Sequence, residues 1–193
     1  GRNFATRKRV LEYDDVMNKQ RETIYRQRAS VLNGESLKET ILKMTESTIS
    51  DAVDLFLADD ENKEDWNLKG LKVHFGGWLC DEADFNYEGR QLEDVSKSDI
   101  RDTLISRAKE KYEQREEEIG SELMRELERV VLLRNVDTKW MDHIDAMDDL
   151  RQGIRLRAYA QTDPVIEYKR EGFDMFEAMN DAIKEEIVRR VFL

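Results

Sequence analysis

An all-α fold is expected from this 193-residue sequence, and three observations predict it. The chain has one proline and nine glycines, and 39% of its residues are charged. That mixture suits long, water-facing helices better than a sheet-rich domain. Its apolar residues recur at intervals of three, four and seven over long stretches, which is the helical period. Breakers and caps then divide the chain into a long helix, a mixed helical region and a helical hairpin.

Residues Phe4 to Leu32 contain neither glycine nor proline. Val10, Met17, Ile24 and Val31 lie seven apart, with Leu11, Tyr25 and Leu32 on the adjoining row. This predicts one long helix of roughly 45 Å with a narrow apolar stripe. So thin a stripe makes no core by itself, and its flanks, with Asp14, Asp15, Arg21, Arg26 and Arg28, read either as a solvated face or as a spine against which other domains dock. Asn33 and Gly34 form a suitable C-cap.

The stretch from residue 34 to 119 is less regular. Ser36 and Glu39 have capping-box spacing, opening a helix through Ile41, Met44, Ile49, Val53 and Phe56. Ala58 to Gly70 reads as an exposed loop, Val73 to Leu79 as a short helix or turn, and Asp81 to Lys97 as loop-rich. Ser98 is expected to open a further helix through Ile100, Leu104, Ala108 and Tyr112. The charged run Glu113 to Glu118 reads as its water-exposed end.

Residues 120 to 193 carry the strongest pattern. Leu133, Val136, Trp140, His143, Met147, Leu150 and Ile154 alternate steps of three and four, forming a seam. Leu123, Leu127 and Val130 are expected to extend it towards the N-terminus. Helical signal ends near Arg157. Asp163 and Pro164 then supply an N-cap and a first helical residue. The second helix is expected to present Ile166, Phe173, Phe176, Met179, Ile183, Ile187 and Val191. So short a connection favours an antiparallel pair with Tyr159 at its tip.

The net charge of −11 argues against bulk attraction to nucleic acid. The single cysteine, Cys80, allows no internal disulfide and favours a reducing compartment. No apolar run reaches the ~20 residues of a membrane span. The N-terminus lacks a signal peptide's apolar core, and its lone leading glycine reads as a cloning scar on a fragment of a longer chain. His143 falls inside the seam and reads as a core histidine. His74 has no Cys or His at metal spacing, and Cys80 has no base nearby, so no zinc site or nucleophile is expected. Glu-x-x-His is absent, which removes the di-metal bundle. Without a Gly-x-x-x-x-Gly-Lys-Ser/Thr loop the chain is not expected to hydrolyse ATP. Trp140 reads as a core anchor. Tyr159 either folds back on its own hairpin or is a contact residue held out by it.

Several long, ordered motifs resemble the SecA family. Lys8 through Arg21 is similar to the start of its long scaffold helix. Asn135-Val136-Asp137 with Trp140 and His143 matches as well, as do Leu150 through Ile154 and Leu156 through Pro164. So does the stretch containing Glu167, Tyr168, Lys169, Glu171, Phe173, Met175 and Phe176. The resemblance implies a scaffold helix over 1–33, a helical wing over 34–119 and a two-helix finger over 120–193, the finger also regulating the ATPase. It implies a non-catalytic section of an ATP-driven translocase. Its partners would be the motor domains of the same parent chain, the SecY channel complex and unfolded preprotein, with no nucleic acid. ATP and Mg2+ would bind motor domains outside this stretch, so no cofactor or metal is carried over. The implied location is cytoplasmic, in a bacterium, peripheral at the inner face of the plasma membrane through the channel. Tyr159, Arg155, Arg157 and Gln161 become the preprotein and channel contacts at the finger tip. Tyr13, Asp14, Asp15 and Arg21 become the motor-docking residues. Trp140, Met147, Leu150, Phe173 and Phe176 become the finger's core. The competing reading is a generic coiled-coil adaptor with no motor attached, which would have no need of the tip motif.

Overall fold

The computed structural model describes residues 1–33, 37–157 and 163–192. The described residues form seven α-helices and one short 3-10 turn, with no strand. The helices are α1 (Arg2–Leu32), α2 (Leu37–Phe56), α3 (Leu68–His74), α4 (Arg90–Asp94), α5 (Lys97–Ile119), α6 (Ser121–Leu156) and α7 (Pro164–Phe192). None is long and apolar enough to cross a membrane.

Two compact units share these helices. One comprises Gly1–Glu35 with Arg129–Ile187, the other Ser36–Glu128 with Val188–Leu193. The long helix therefore groups with the hairpin rather than standing as a unit of its own, because its narrow stripe needs a partner to bury it.

In the first unit, α1 buries Tyr13, Gln20, Ile24 and Val31, with Val16 and Met17 half-buried. The adjoining row expected in the stripe, Leu11, Tyr25 and Leu32, is exposed. The buried line turns instead through Tyr13 and Gln20, two residues that an apolar-only reading leaves out. On α6 the buried positions are Leu132, Val136, Trp140, His143, Met147 and Ile154. The seam thus enters at Leu132, with Leu133 half-buried. On α7 they include Val165, Tyr168, Met179, Ile183 and Ile187. Phe173, expected in the core, is 61% exposed, and so is Ile166. The inward line at that level runs through Val165, Tyr168 and the small Gly172, one position to the side. Tyr13, Met147, Ile154, Val165 and Tyr168 form one apolar cluster, with Leu150 and Met175 against it. Phe176 is half-buried, its ring 5.7 Å from that of His143. Across the hairpin, His143 thus meets Phe176 while a Cβ on Gly172 would touch Met147. Positions rising along α6 pair with positions falling along α7, so the two helices are antiparallel.

In the second unit, α2, α3 and α5 enclose a core that includes Ile49, Val53, Leu57, Leu71, Phe75, Ile100 and Leu104. The expected α5 face of Ile100, Leu104, Ala108 and Tyr112 is buried throughout. The helix starts at Lys97, one residue before the expected Ser98. Ser96 caps it by accepting from the Asp99 N–H at 3.1 Å, and the Asp99 carboxylate accepts from the Ser96 N–H at 3.0 Å. Gly120 ends it at φ +88°, a conformation that a side chain would disfavour. Arg107 locks the loop-rich stretch by a fork to Asp84, both contacts at 2.9 Å, and a bond to the Leu79 carbonyl at 2.8 Å. In the first turns of α6, Leu123 and Val130 are exposed; Met124 and Glu128 are fully buried instead. An apolar pattern cannot mark Glu128, whose side chain is acidic.

Candidate functional site

The free end of the hairpin is where the sequence places its contact residues. Tyr159 and Gln161 lie outside the described residues. Their frame is well defined. Asp163 accepts from the Val165 N–H at 3.0 Å, so the N-cap starts α7 as the Asp-Pro pair predicts. Leu156, Arg155 and Arg157 are exposed at the end of α6. Arg157 turns towards the neighbouring helix, forking onto Glu171 at 2.9 and 3.2 Å. Hydrogen bonding in this pair holds the Glu171 carboxyl below its usual range and raises Arg157. The fork ties the two helices together just below the tip. Arg155 is exposed and at liberty to meet a partner's surface.

The four expected docking residues of α1 divide into two pairs. Tyr13 is 7% exposed and faces the hairpin, its ring edge-on to Tyr168 with centroids 5.0 Å apart. The Arg151 guanidinium lies 4.8 Å from the Tyr13 ring centre and donates to Asp14 at 3.3 Å. These two residues therefore clamp α1 onto the hairpin. Asp15 and Arg21 point to solvent, Asp15 paired with Lys19 at 3.0 Å and Arg21 donating to Asn18 at 3.2 Å. Both partners come from α1 itself, so this face stays open to another surface.

Further along, Arg28 forks onto Asp137 at 2.9 and 3.1 Å. Beside it, Ile24, Tyr25, Leu32, Trp140 and Met141 line an open groove of about 560 Å³. Trp140 is 6% exposed and Met147 1%. Periodicity gave no hint of the polar contact between α1 and the hairpin. Gln20 lies 2.7 Å from His143 Nε2 and donates to the Gly172 carbonyl at 3.2 Å. The signal that could have found it is the glycine inside an otherwise strong helix, which marks close approach.

Chemistry is sparse. Cys80 is buried, and its thiol is pushed up to about 11 by burial and by Asp84, which leaves it a poor nucleophile. Among the described residues no group of three or more His, Cys, Asp or Glu could hold a metal ion. What the geometry offers is surfaces: a clamped three-helix body, a solvent-facing side of α1 and a stiffened hairpin end.

These features define a helical scaffold carrying a hairpin. The family profile described as SecA Wing and Scaffold domain matches residues 1–193, and the chain belongs to this family. It is 53% identical to a protein translocase subunit SecA of Acetivibrio thermocellus over 188 residues, which are 97% of this chain and 21% of that protein. It is 49% identical to protein translocase subunit SecA 1 of Alkaliphilus metalliredigens over 192 residues, 100% of this chain and 21% of the relative. A SecA subunit from Syntrophomonas wolfei is 48% identical over 191 residues, 99% of this chain and 23% of the relative. The chain therefore spans about a fifth of the length of these relatives.

Proposed function

We propose that this chain is the non-catalytic scaffold, wing and finger section of an ATP-driven protein translocase. In this reading the outward side of α1 docks on the motor domains of the parent chain, and the hairpin presents Tyr159 to preprotein and the SecY channel. ATP and Mg2+ belong to the motor domains, and the protein works at the cytoplasmic face of the membrane. The antiparallel α6–α7 pair carries the reading. Its seam runs from Leu132 to Ile154, and the Arg157–Glu171 fork closes it just short of the tip motif. Such a pair can bear load along its axis, whereas a generic adaptor would have no use for a reinforced end. Tyrosine suits a contact that must accept varied sequence, being apolar on its faces and polar at one end, with few torsions to fix.

The test is Tyr159→Ala in a full-length parent protein. Transport into reconstituted channel vesicles should fall severalfold while the melting temperature is nearly unchanged. Tyr159→Phe should be milder if ring contact dominates. Normal transport by the alanine variant would end the finger reading. A much lower melting temperature would make Tyr159 a packing residue.

Docking on the motor gives a second expectation. Titrating this 193-residue chain into a motor fragment should lower ATP turnover saturably, because a docked helix can favour an unproductive arrangement of the motor folds. Arg21→Glu should weaken the effect, since Arg21 lies on the solvent-facing side of α1. Demonstrated binding without a change in turnover would reject the regulatory part.

A further inference from the structure

The contact between α1 and the hairpin carries the Arg28–Asp137 and Arg151–Asp14 ion pairs at its partly exposed edges and one buried polar point between them, whose chemistry is tightly constrained. A helix carbonyl can only accept, so the Gln20 amide must turn its NH2 towards Gly172. Its oxygen then faces His143 at 2.7 Å, and the neutral imidazole must carry its proton on Nε2. One side chain of α1 thereby reads one position on α6 and one on α7. Gly172 contributes its carbonyl and lets the Met147 side chain close in beside it. A Cβ there would sit 2.7 Å from the Met147 methyl and 4.0 Å from Gln20 Nε2.

The positions one turn away on α1 are Val16, Met17, Thr23 and Ile24; only Thr23 carries a hydroxyl, and it donates to the Lys19 carbonyl of its own helix at 3.1 Å. Sliding α1 by one turn would leave both His143 and the amide without their partners. Lone polar residues in apolar seams fix register in this way in other helical assemblies.

We propose that Gln20, His143 and Gly172 form a register lock that sets the axial position of the long helix on the hairpin. The groups facing His143 are the Trp140 ring at 5.6 Å, the Phe176 ring at 5.7 Å and the Gln20 amide. None of these is titratable, so a charge on the imidazole would find no carboxylate. Burial alone lowers the His143 pKa. The sign follows from linkage: with the folded value below the unfolded one, the stabilisation is present above about pH 6.5 and is lost as the pH falls below it. The bearing of the lock on transport rests on the hairpin's being the working element, but its existence does not, and its test needs no motor or channel.

That test is imidazole nuclear magnetic resonance on the 193-residue chain. There are two histidines, and the other, His74, is exposed and gives a separate signal. The unaltered chain should show His143 as the Nε2–H tautomer, with a titration midpoint below 6.5. In Gln20→Glu the new carboxylate would favour the imidazolium, moving the midpoint up by at least one pH unit, tenfold in proton concentration. In Gln20→Met the contact between the Tyr13 and Tyr168 rings, two turns and one turn from the lock, should weaken at least twofold as a second register becomes populated. An Nδ1–H tautomer in the unaltered chain would overturn the lock even if both variants failed to fold. So would an unmoved midpoint in Gln20→Glu, or a single, undiminished ring contact in Gln20→Met.

Discussion

Replacing Trp140 by alanine should cost about 3–5 kcal/mol, the usual range for deleting a large buried ring. The residue is 6% exposed, stacks 5.6 Å from His143 and lines the groove with Ile24 and Arg28. Because the groove is open, some relaxation is available, and the lower half of the range is favoured. The loss should be confined to the unit built from α1 and the hairpin. Helicity measured against denaturant should therefore show an early phase, while the unit built around Ile49 and Leu104 unfolds at its original midpoint. Glu117→Lys, on the exposed side of α5, serves as reference and should shift stability by no more than about 0.5 kcal/mol. Equal midpoints for the two variants would mean that Trp140 contributes little to this core and that a partner contact is the better reading of it.

Arg125→Met should cost a similar amount, about 3–5 kcal/mol, for a different reason. Glu128 is fully buried and accepts from Arg125 Nε at 2.7 Å and from the Tyr112 hydroxyl at 3.1 Å. Its second oxygen has no hydrogen-bond partner among the described residues. Arg125 also donates to the Tyr112 oxygen at 2.7 Å and to Glu116, which Lys38 approaches at 3.0 Å. Removing the guanidinium leaves a buried carboxylate uncompensated. Removing both partners, in Arg125→Met with Glu128→Met, should restore most of the loss, which a double-mutant cycle would measure. The pH sign is definite. Burial raises the Glu128 pKa, outweighing Arg125 and the Tyr112 hydrogen bond. Stability from a group with a raised folded value is fully present at low pH and lost as the pH climbs through that value. The Arg125→Met deficit should therefore be smaller at pH 5 than at pH 8. A deficit under 1 kcal/mol and equal at both pH values would show that solvent reaches Glu128.

Both residues bear on what was legible beforehand. The hairpin could be read because its helices repeat large apolar residues at steps of three and four, and Asp163-Pro164 marks where the second begins. The same method failed wherever a buried position carries something other than a hydrophobe. Gln20, Glu128 and Gly172 are invisible to it, so the line it drew slid onto Leu11, Leu123 and Phe173, all exposed. The sequence of a narrow-striped helix cannot say which of two adjoining rows is covered until its partner is known. Tyr13 and Asp14 show the same gap. The motif pointed to them, but only the fold reveals that they grip the hairpin through Tyr168 and Arg151. The start of α5 is hidden for a simpler reason: three polar residues separate Ser96 from the first apolar one.

The separation of Gln20 from its partners has a consequence during synthesis. His143 follows it by 123 positions and Gly172 by 152. At roughly 5–20 residues per second, α1 waits on the order of ten seconds after leaving the ribosome before either partner exists. The intervening stretch can complete its own contacts within that interval, since α2, α3 and α5 pack among themselves. The nascent chain therefore passes through a stage in which the core of α2, α3 and α5 can form while Tyr13, Ile24 and Val31 remain uncovered on α1. Cleavage of stalled chains by a protease should find α1 susceptible until the stretch around Gly172 has emerged.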